Sequence, residues 1–183
     1  SQQSTMIDRM DYYRFGKNGR QLYVLNAGSD TFHRYTLDQV IKHQSYSLPF
    51  RIPTYLFGWQ ILCVSEPMQK VWFVQKTPFL YELNLQSGQV DSFQLTGKKD
   101  HLIRILSTET EGELIVEANT FIGLYQCDGQ KWKWKIPGDQ EEGGYTAIAV
   151  SADGKYLATA SPYYVLQVRE LPEGKLVMES RDF

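Results

Sequence analysis

The chain has 183 residues and a formal net charge of −2 at pH 7, with 42% hydrophobic and 22% charged residues. These values are ordinary for one globular domain or part of a larger one. They exclude a protein with the overall basic excess that neutralises nucleic-acid phosphates. No apolar run approaches the roughly 18 residues of a membrane-spanning helix.

Short apolar runs separated by turn residues follow one another from Asp11 onward, and no segment keeps a helical apolar period over three turns. The sequence therefore predicts an all-β fold. Residues 1–8 are polar and are expected to form a flexible tail. The predicted strands occupy residues 12–15, 21–25, 31–37, 41–48, 59–64, 71–75, 79–85, 89–95, 102–106, 113–118, 121–127, 132–136, 147–150, 156–160, 164–171 and 175–178.

The predicted strands fall into four units of four, which span residues 9–49, 58–97, 101–137 and 144–183. The first turn of each unit recurs at intervals of 49, 44 and 42 residues, at Gly19, Met68, Gly112 and Gly154. A later turn recurs at Gln39, Gly88, Gly129 and Gly174. A period of about 40–45 residues with four short strands is typical of propeller blades. One such sheet cannot bury both faces alone, so sheets stack.

The fourth unit carries the clearest motif. Ser151-Ala152-Asp153-Gly154 is a turn that precedes the small-residue strand Tyr156 to Ala160. With the period, this turn makes residues 9–183 resemble WD40-like β-propellers. The Trp-Asp pair that names the family is absent: the corresponding places hold Val168-Arg169-Glu170, Tyr81-Glu82-Leu83-Asn84 and His33-Arg34-Tyr35. The Gly-His pair between blades is absent too.

The resemblance implies about four WD40-like blades, whereas propellers of this family usually have about seven. One interpretation is that the four blades are part of a larger seven- or eight-bladed propeller, completed by another segment or chain. The alternatives are a closed four-bladed ring and an open stack of sheets. An open array leaves apolar end faces that need a partner.

The sequence shows no catalytic or metal-binding pattern. His33, His43 and His101 lack metal-ligand spacing, and no G-x-S-x-G motif occurs. Cys63 and Cys127 lie within apolar strands, which predicts packed thiols in a reducing compartment. We therefore expect a protein that is not an enzyme and has no cofactor, metal ion or catalytic residue.

The segment Lys131-Trp132-Lys133-Trp134-Lys135 is the most unusual local pattern. Strict alternation along a strand would place Lys131, Lys133 and Lys135 on one face and both tryptophans on the other. One interpretation is a basic patch for nucleic acid or an acidic partner. The other, which we favour, is an outer strand with packed tryptophans and solvated lysines.

The connection from Leu48 to Trp59 is unusually apolar. Its aromatic residues Phe50, Tyr55, Phe57 and Trp59 either cap the end of the propeller or bind another protein.

The leading functional hypothesis is a non-catalytic scaffold for protein–protein interaction in the cytoplasm, as a subunit or domain of a larger assembly. Its partners would be other proteins or the rest of a larger propeller, with no membrane and no nucleic acid. The alternative is a propeller enzyme or a small-ligand- or cofactor-binding propeller, similar to quinoproteins or lactonases.

Overall fold

The computed structural model describes residues 11–26, 28–52, 61–138, 145–161, 165–171 and 173–181. The expectation of a flexible tail at residues 1–8 lies outside these ranges. Within them, no helix is long and apolar enough to cross a membrane.

In these ranges, sixteen strands form four antiparallel sheets, each with its strands in chain order. Sheet A contains β1 (Asp11–Phe15), β2 (Gln21–Asn26), β3 (Thr31–Leu37) and β4 (Ile41–Ser47). Sheet B contains β5 (Leu62–Ser65), β6 (Lys70–Phe73), β7 (Phe79–Asn84) and β8 (Val90–Gln94). Sheet C contains β9 (Leu102–Ser107), β10 (Glu113–Ala118), β11 (Phe121–Gln126) and β12 (Lys131–Pro137). Sheet D contains β13 (Ala147–Val150), β14 (Tyr156–Ala160), β15 (Leu166–Glu170) and β16 (Leu176–Ser180).

The all-β prediction and the four blade-like units of four strands are confirmed. The turns differ in detail from the predicted pattern. In the first turn of sheet B the residue with positive φ is Gln69, next to the predicted Met68, and in the later turn of sheet C it is Gln130, next to the predicted Gly129. The repeat is therefore set by strand length and apolar pattern, and the turn residue can move by one position.

Sheets A, B and C share one hydrophobic core. Phe32 of sheet A meets Phe73 of sheet B edge to face, with ring centroids 5.5 Å apart. The Tyr46 hydroxyl donates a hydrogen bond to the Leu85 carbonyl at 3.0 Å. Buried Val116 of sheet C belongs to the same core. Sheet B is thus covered on both faces.

A second core lies between sheets C and D. It contains Ile115 and Leu124 from sheet C and Ile148 and Leu157 from sheet D. We call the face of a sheet that points to the preceding sheet its trailing face, and the opposite face its leading face. Because Val116 and Ile115 are neighbours on β10, the trailing face of sheet C packs in the first core and its leading face in the second.

Candidate interaction surfaces

The lysine-rich strand β12 does not alternate as predicted. Trp132 pairs with Tyr125, whereas Trp134 pairs with Leu124, so a bulge at Lys133 interrupts the register. A bulge puts two residues opposite one and shifts the side-chain alternation. The two tryptophans therefore lie on opposite faces: Trp132 packs against the first core and Trp134 against the second. The prediction that they share a face was wrong.

The same bulge separates the lysines. The Lys133 ammonium forms an ion pair with the Glu113 carboxylate, on the leading face of sheet C. The Lys135 ammonium lies 4.5 Å from the Phe121 ring centroid and 4.3 Å from that of Trp132, on the trailing face. Burial lowers the pKa of Lys135 from its ordinary value. Lys131, Lys133 and Lys135 therefore do not form one basic face, and the less favoured interpretation of this segment as a patch for nucleic acid or an acidic partner stays untested.

Among the four aromatic residues of the connection between sheets A and B, the structure describes Phe50. Its ring packs on Tyr81, with centroids 4.4 Å apart, and meets Phe73 edge to face at 6.4 Å. Phe50 thus fixes one end of the connection to sheet B. Tyr55, Phe57 and Trp59 lie outside the described residues, so their role as binding residues stays a prediction.

Sequence reasoning missed a buried polar network on the leading face of sheet B. The Trp72 indole donates to Glu82 at 2.8 Å, and the Lys70 ammonium lies 2.8 Å from the other carboxylate oxygen. The hydrogen bond to Glu82 raises the pKa of Lys70. Trp72 and Glu82 are cross-strand partners. The sequence pattern that could have revealed this network is a tryptophan and an acidic residue in adjacent strands. It identifies the pair only when the register of the two strands is known.

A second missed network joins sheets C and D. Arg104 forms a two-point ion pair with Glu117, which is fully buried. Arg104 also donates to the Tyr145 carbonyl, and the Tyr145 backbone N–H donates to Glu117 at 2.9 Å. Because Tyr145 lies two residues before the first strand of sheet D, this pair anchors the chain where it enters the last sheet.

A polar cavity of about 280 Å³ opens between the ends of sheets C and D. Arg169 donates to Gln167 at 3.0 Å, and Gln167 and Arg181 donate to the Glu179 carboxylate at 2.9 and 3.0 Å. The bonds from Gln167 and Arg181 lower the pKa of Glu179. The Thr159 hydroxyl also lines this cavity, and within the described residues it is buried without a hydrogen-bond partner.

Two of the three histidines are closer together than the sequence suggested. His33 Nδ1 lies 3.0 Å from His43 Nε2, because β3 and β4 pair side by side. In the part of the chain that the structure describes, no group of three His, Cys, Asp or Glu residues could hold a metal ion.

Both cysteines are free and buried, as expected for packed thiols. Burial raises the pKa of Cys63 to about 12 and that of Cys127 well above its ordinary value. Burial also raises the pKa of Tyr23 and of Tyr125 to about 12. All four groups belong to the core shared by sheets A, B and C. Raised values leave the thiols protonated at neutral pH and weakly nucleophilic.

No protein-family model matches the chain, and no curated protein matches its sequence significantly.

Proposed function

We propose that the chain is a WD40-like β-propeller module with a non-catalytic role in protein–protein interaction, within a larger assembly. The observation that carries this proposal is the face-to-face stacking of four consecutive four-stranded sheets on continuous apolar cores. Propellers bring loops from several blades onto one surface, and such a surface suits the binding of a peptide or a domain.

The WD40-like assignment is supported by the turn between β13 and β14. The Ser151 hydroxyl is 2.7 Å from Asp153 Oδ1 and accepts a hydrogen bond from the Tyr156 backbone N–H at 3.0 Å. Gly154 has φ of +67°, a conformation that glycine adopts without steric cost. The Ser-x-Asp-Gly pattern is thus used for the tight turn that the resemblance implies.

The binding residues proposed are Tyr55, Phe57 and Trp59 in the connection between sheets A and B. Phe50, at the start of that connection, already packs on sheet B. Large aromatic residues commonly supply most of the binding free energy at protein interfaces.

The test is to select binders from a displayed peptide library against the purified chain, and to measure their affinity by calorimetry. We expect the variant Tyr55→Ser/Phe57→Ser/Trp59→Ser to raise the Kd of selected peptides by at least about tenfold, since one anchor contributes about 1–2 kcal/mol. Val40→Ser, at an exposed residue, is the control and should leave the Kd unchanged. Unchanged binding by the triple variant would contradict the proposed surface.

A second candidate function is binding of a small polar ligand, as in the ligand-binding propellers. The specific observation is the cavity with the buried Thr159 hydroxyl, which has no hydrogen-bond partner among the described residues. A thermal-shift screen of metal ions and small polar molecules tests it. A ligand that raises Tm for the native chain and not for Thr159→Val would favour this function over a pure scaffold. If the screen finds no such ligand, the second candidate function is rejected.

A further inference from the structure

The leading face of sheet D is largely apolar and is exposed to solvent. One row across this face follows the strand register Ala149↔Ala158↔Val168↔Met178. Ala149 is exposed, and Met178 keeps 45% of its surface accessible. The other side of the same sheet, with Ile148 and Leu157, is buried against sheet C. Sheet D is therefore packed on one side alone within the described residues.

The equivalent face of sheet C is covered by the next four-stranded sheet. Its row Leu106↔Ile115↔Leu124↔Trp134 has the same register as the row in sheet D. The agreement includes the bulge in the last strand, which lies at Lys133 in sheet C and at Val177 in sheet D. Sheet D covers the sheet C row as part of the second core. By position, the sheet D row is therefore a surface for another four-stranded sheet.

The trailing face of sheet A is the second face that no other sheet covers within the described residues. It pairs Phe15 with Leu22 and Tyr13 with Val24. The trailing face of sheet D pairs Val150 with Leu157 and Ile148 with Thr159 in the same places. The two hairpins are aligned by equivalent backbone bonds, from Gly16 to Gln21 and from Ser151 to Tyr156, both 2.9 Å long. Tyr13 and Phe15 are 72% and 56% exposed.

The sizes of the side chains on the two open faces are complementary. The positions that Leu106 and Ile115 occupy on the leading face of sheet C are occupied in sheet D by the smaller Ala149 and Ala158. Where sheet D presents Ile148 and Val150 to sheet C, sheet A presents the larger Tyr13 and Phe15. A close-packed interface needs a fixed side-chain volume between its sheets, so smaller residues on one face require larger ones on the other. Sheet A meets this requirement for sheet D.

We propose that two copies of this chain bind head to tail, with the trailing face of sheet A in each copy packed on the leading face of sheet D in the other. The contact is heterologous, occurs twice and closes a ring of eight sheets. Eight blades lie within the usual range for propellers. This inference goes beyond the proposed scaffold role, because it concerns contact between copies and uses no residue of the connection between sheets A and B.

The experiment is the mass of the 183-residue chain by light scattering coupled to gel filtration. We expect a species of twice the 21.2 kDa chain mass. Ala158→Arg on sheet D and Phe15→Asp on sheet A should each raise the dimer dissociation constant by at least about a hundredfold, since each buries an unpaired charge in the interface. Both variants should keep the native β-sheet circular dichroism. Ala152→Arg, in the exposed turn of sheet D, is the matched control and should remain dimeric.

Mixing the two monomeric variants gives the decisive result. The Ala158→Arg copy keeps an intact sheet A face, and the Phe15→Asp copy keeps an intact sheet D face, so the mixture should regain a dimer through one contact. A native chain that stays monomeric up to about 100 μM would overturn the proposal. So would dimerisation lost in one variant and retained in the other, because this pattern indicates contact between like faces. If Ala158→Arg fails to fold, Val168→Glu replaces it on the same row.

Discussion

Sheets C and D have the same strand order and the same bulged register, yet their leading faces differ in polarity. Sheet C carries the polar pairs Arg104–Glu117 and Lys133–Glu113 beside its apolar row. In sheet D, the places of Arg104 and Glu117 are occupied by Ala147 and Ala160. The comparison teaches that the backbone repeat is independent of how each face is used: one leading face anchors the next sheet through charge, and the other carries alanines in the places of that charged pair.

The largest effect should come from breaking the ion pair that exists in sheet C and has no counterpart in sheet D. We expect Glu117→Ala to lower the free energy of unfolding by about 3–5 kcal/mol, because it leaves the largely buried Arg104 guanidinium unpaired. Urea denaturation measures this loss. The double variant Arg104→Ala/Glu117→Ala should be more stable than the sum of the single changes predicts. Additive losses would show that the pair is not coupled.

The next effect compares equivalent places in the two apolar rows. Ile115→Ala should cost about 2–5 kcal/mol, because it opens a cavity under a fully buried side chain. The converse change, Ala158→Ile in sheet D, should stay within about 0.5 kcal/mol in the monomer, since that site is partly open. Both are measured by urea denaturation, at a concentration where each variant is monomeric. A large loss for Ala158→Ile would mean that this face is already filled.

A smaller effect tests the bulge in sheet C. A Cβ at Gly123 would lie 2.7 Å from the Trp134 carbonyl oxygen and 2.9 Å from the Trp132 ring. We expect Gly123→Ala to cost about 1–3 kcal/mol, because these neighbours must move. Gly97→Ala is the matched control, since a Cβ there meets no atom within 4 Å. Equal thermal stabilities of the two variants would contradict this account of the bulge.

The smallest effect is a loss of stability at alkaline pH, which is absent at neutral pH. It distinguishes the first core from the second, because the buried groups that titrate belong to the first core. The pKa values of Cys63, Tyr23 and Tyr125 are raised to about 12 in the folded chain, from 9.0 for the thiol and 10.0 for the phenols. The unfolded chain therefore releases these protons first, so stability is fully present below about pH 9 and is lost as pH rises towards 12. Urea midpoints between pH 8 and 11 should fall.

Two substitutions assign that alkaline loss to the first core. Tyr125→Phe should make the decline shallower, because it removes one titrating group from the interior. Tyr13→Phe, at a ring on sheet A that is exposed in the single chain, should leave the slope as in the native chain when both are measured at a concentration where they are monomeric. If both variants behave alike, the alkaline loss arises elsewhere.

The number and order of the strands followed from the sequence, because each apolar run is short and a turn signal separates it from the next. The strand Glu113–Ala118 was predicted with its observed bounds. Other strand ends, such as that of β16, extend beyond the predicted range. Strand ends depend on partner strands as much as on local residues.

The sequence by itself determined the all-β class, the four units and the burial of the two thiols, since these depend on local apolar pattern and turn chemistry. The tertiary structure decided which face each side chain occupies. The bulge at Lys133 moved Trp134 away from Trp132 and divided the predicted lysine face. Cross-strand register also created the pairs Trp72–Glu82 and Arg104–Glu117. The physical reason is that a shift of one residue in register reverses every side chain beyond it, and no local pattern records that shift.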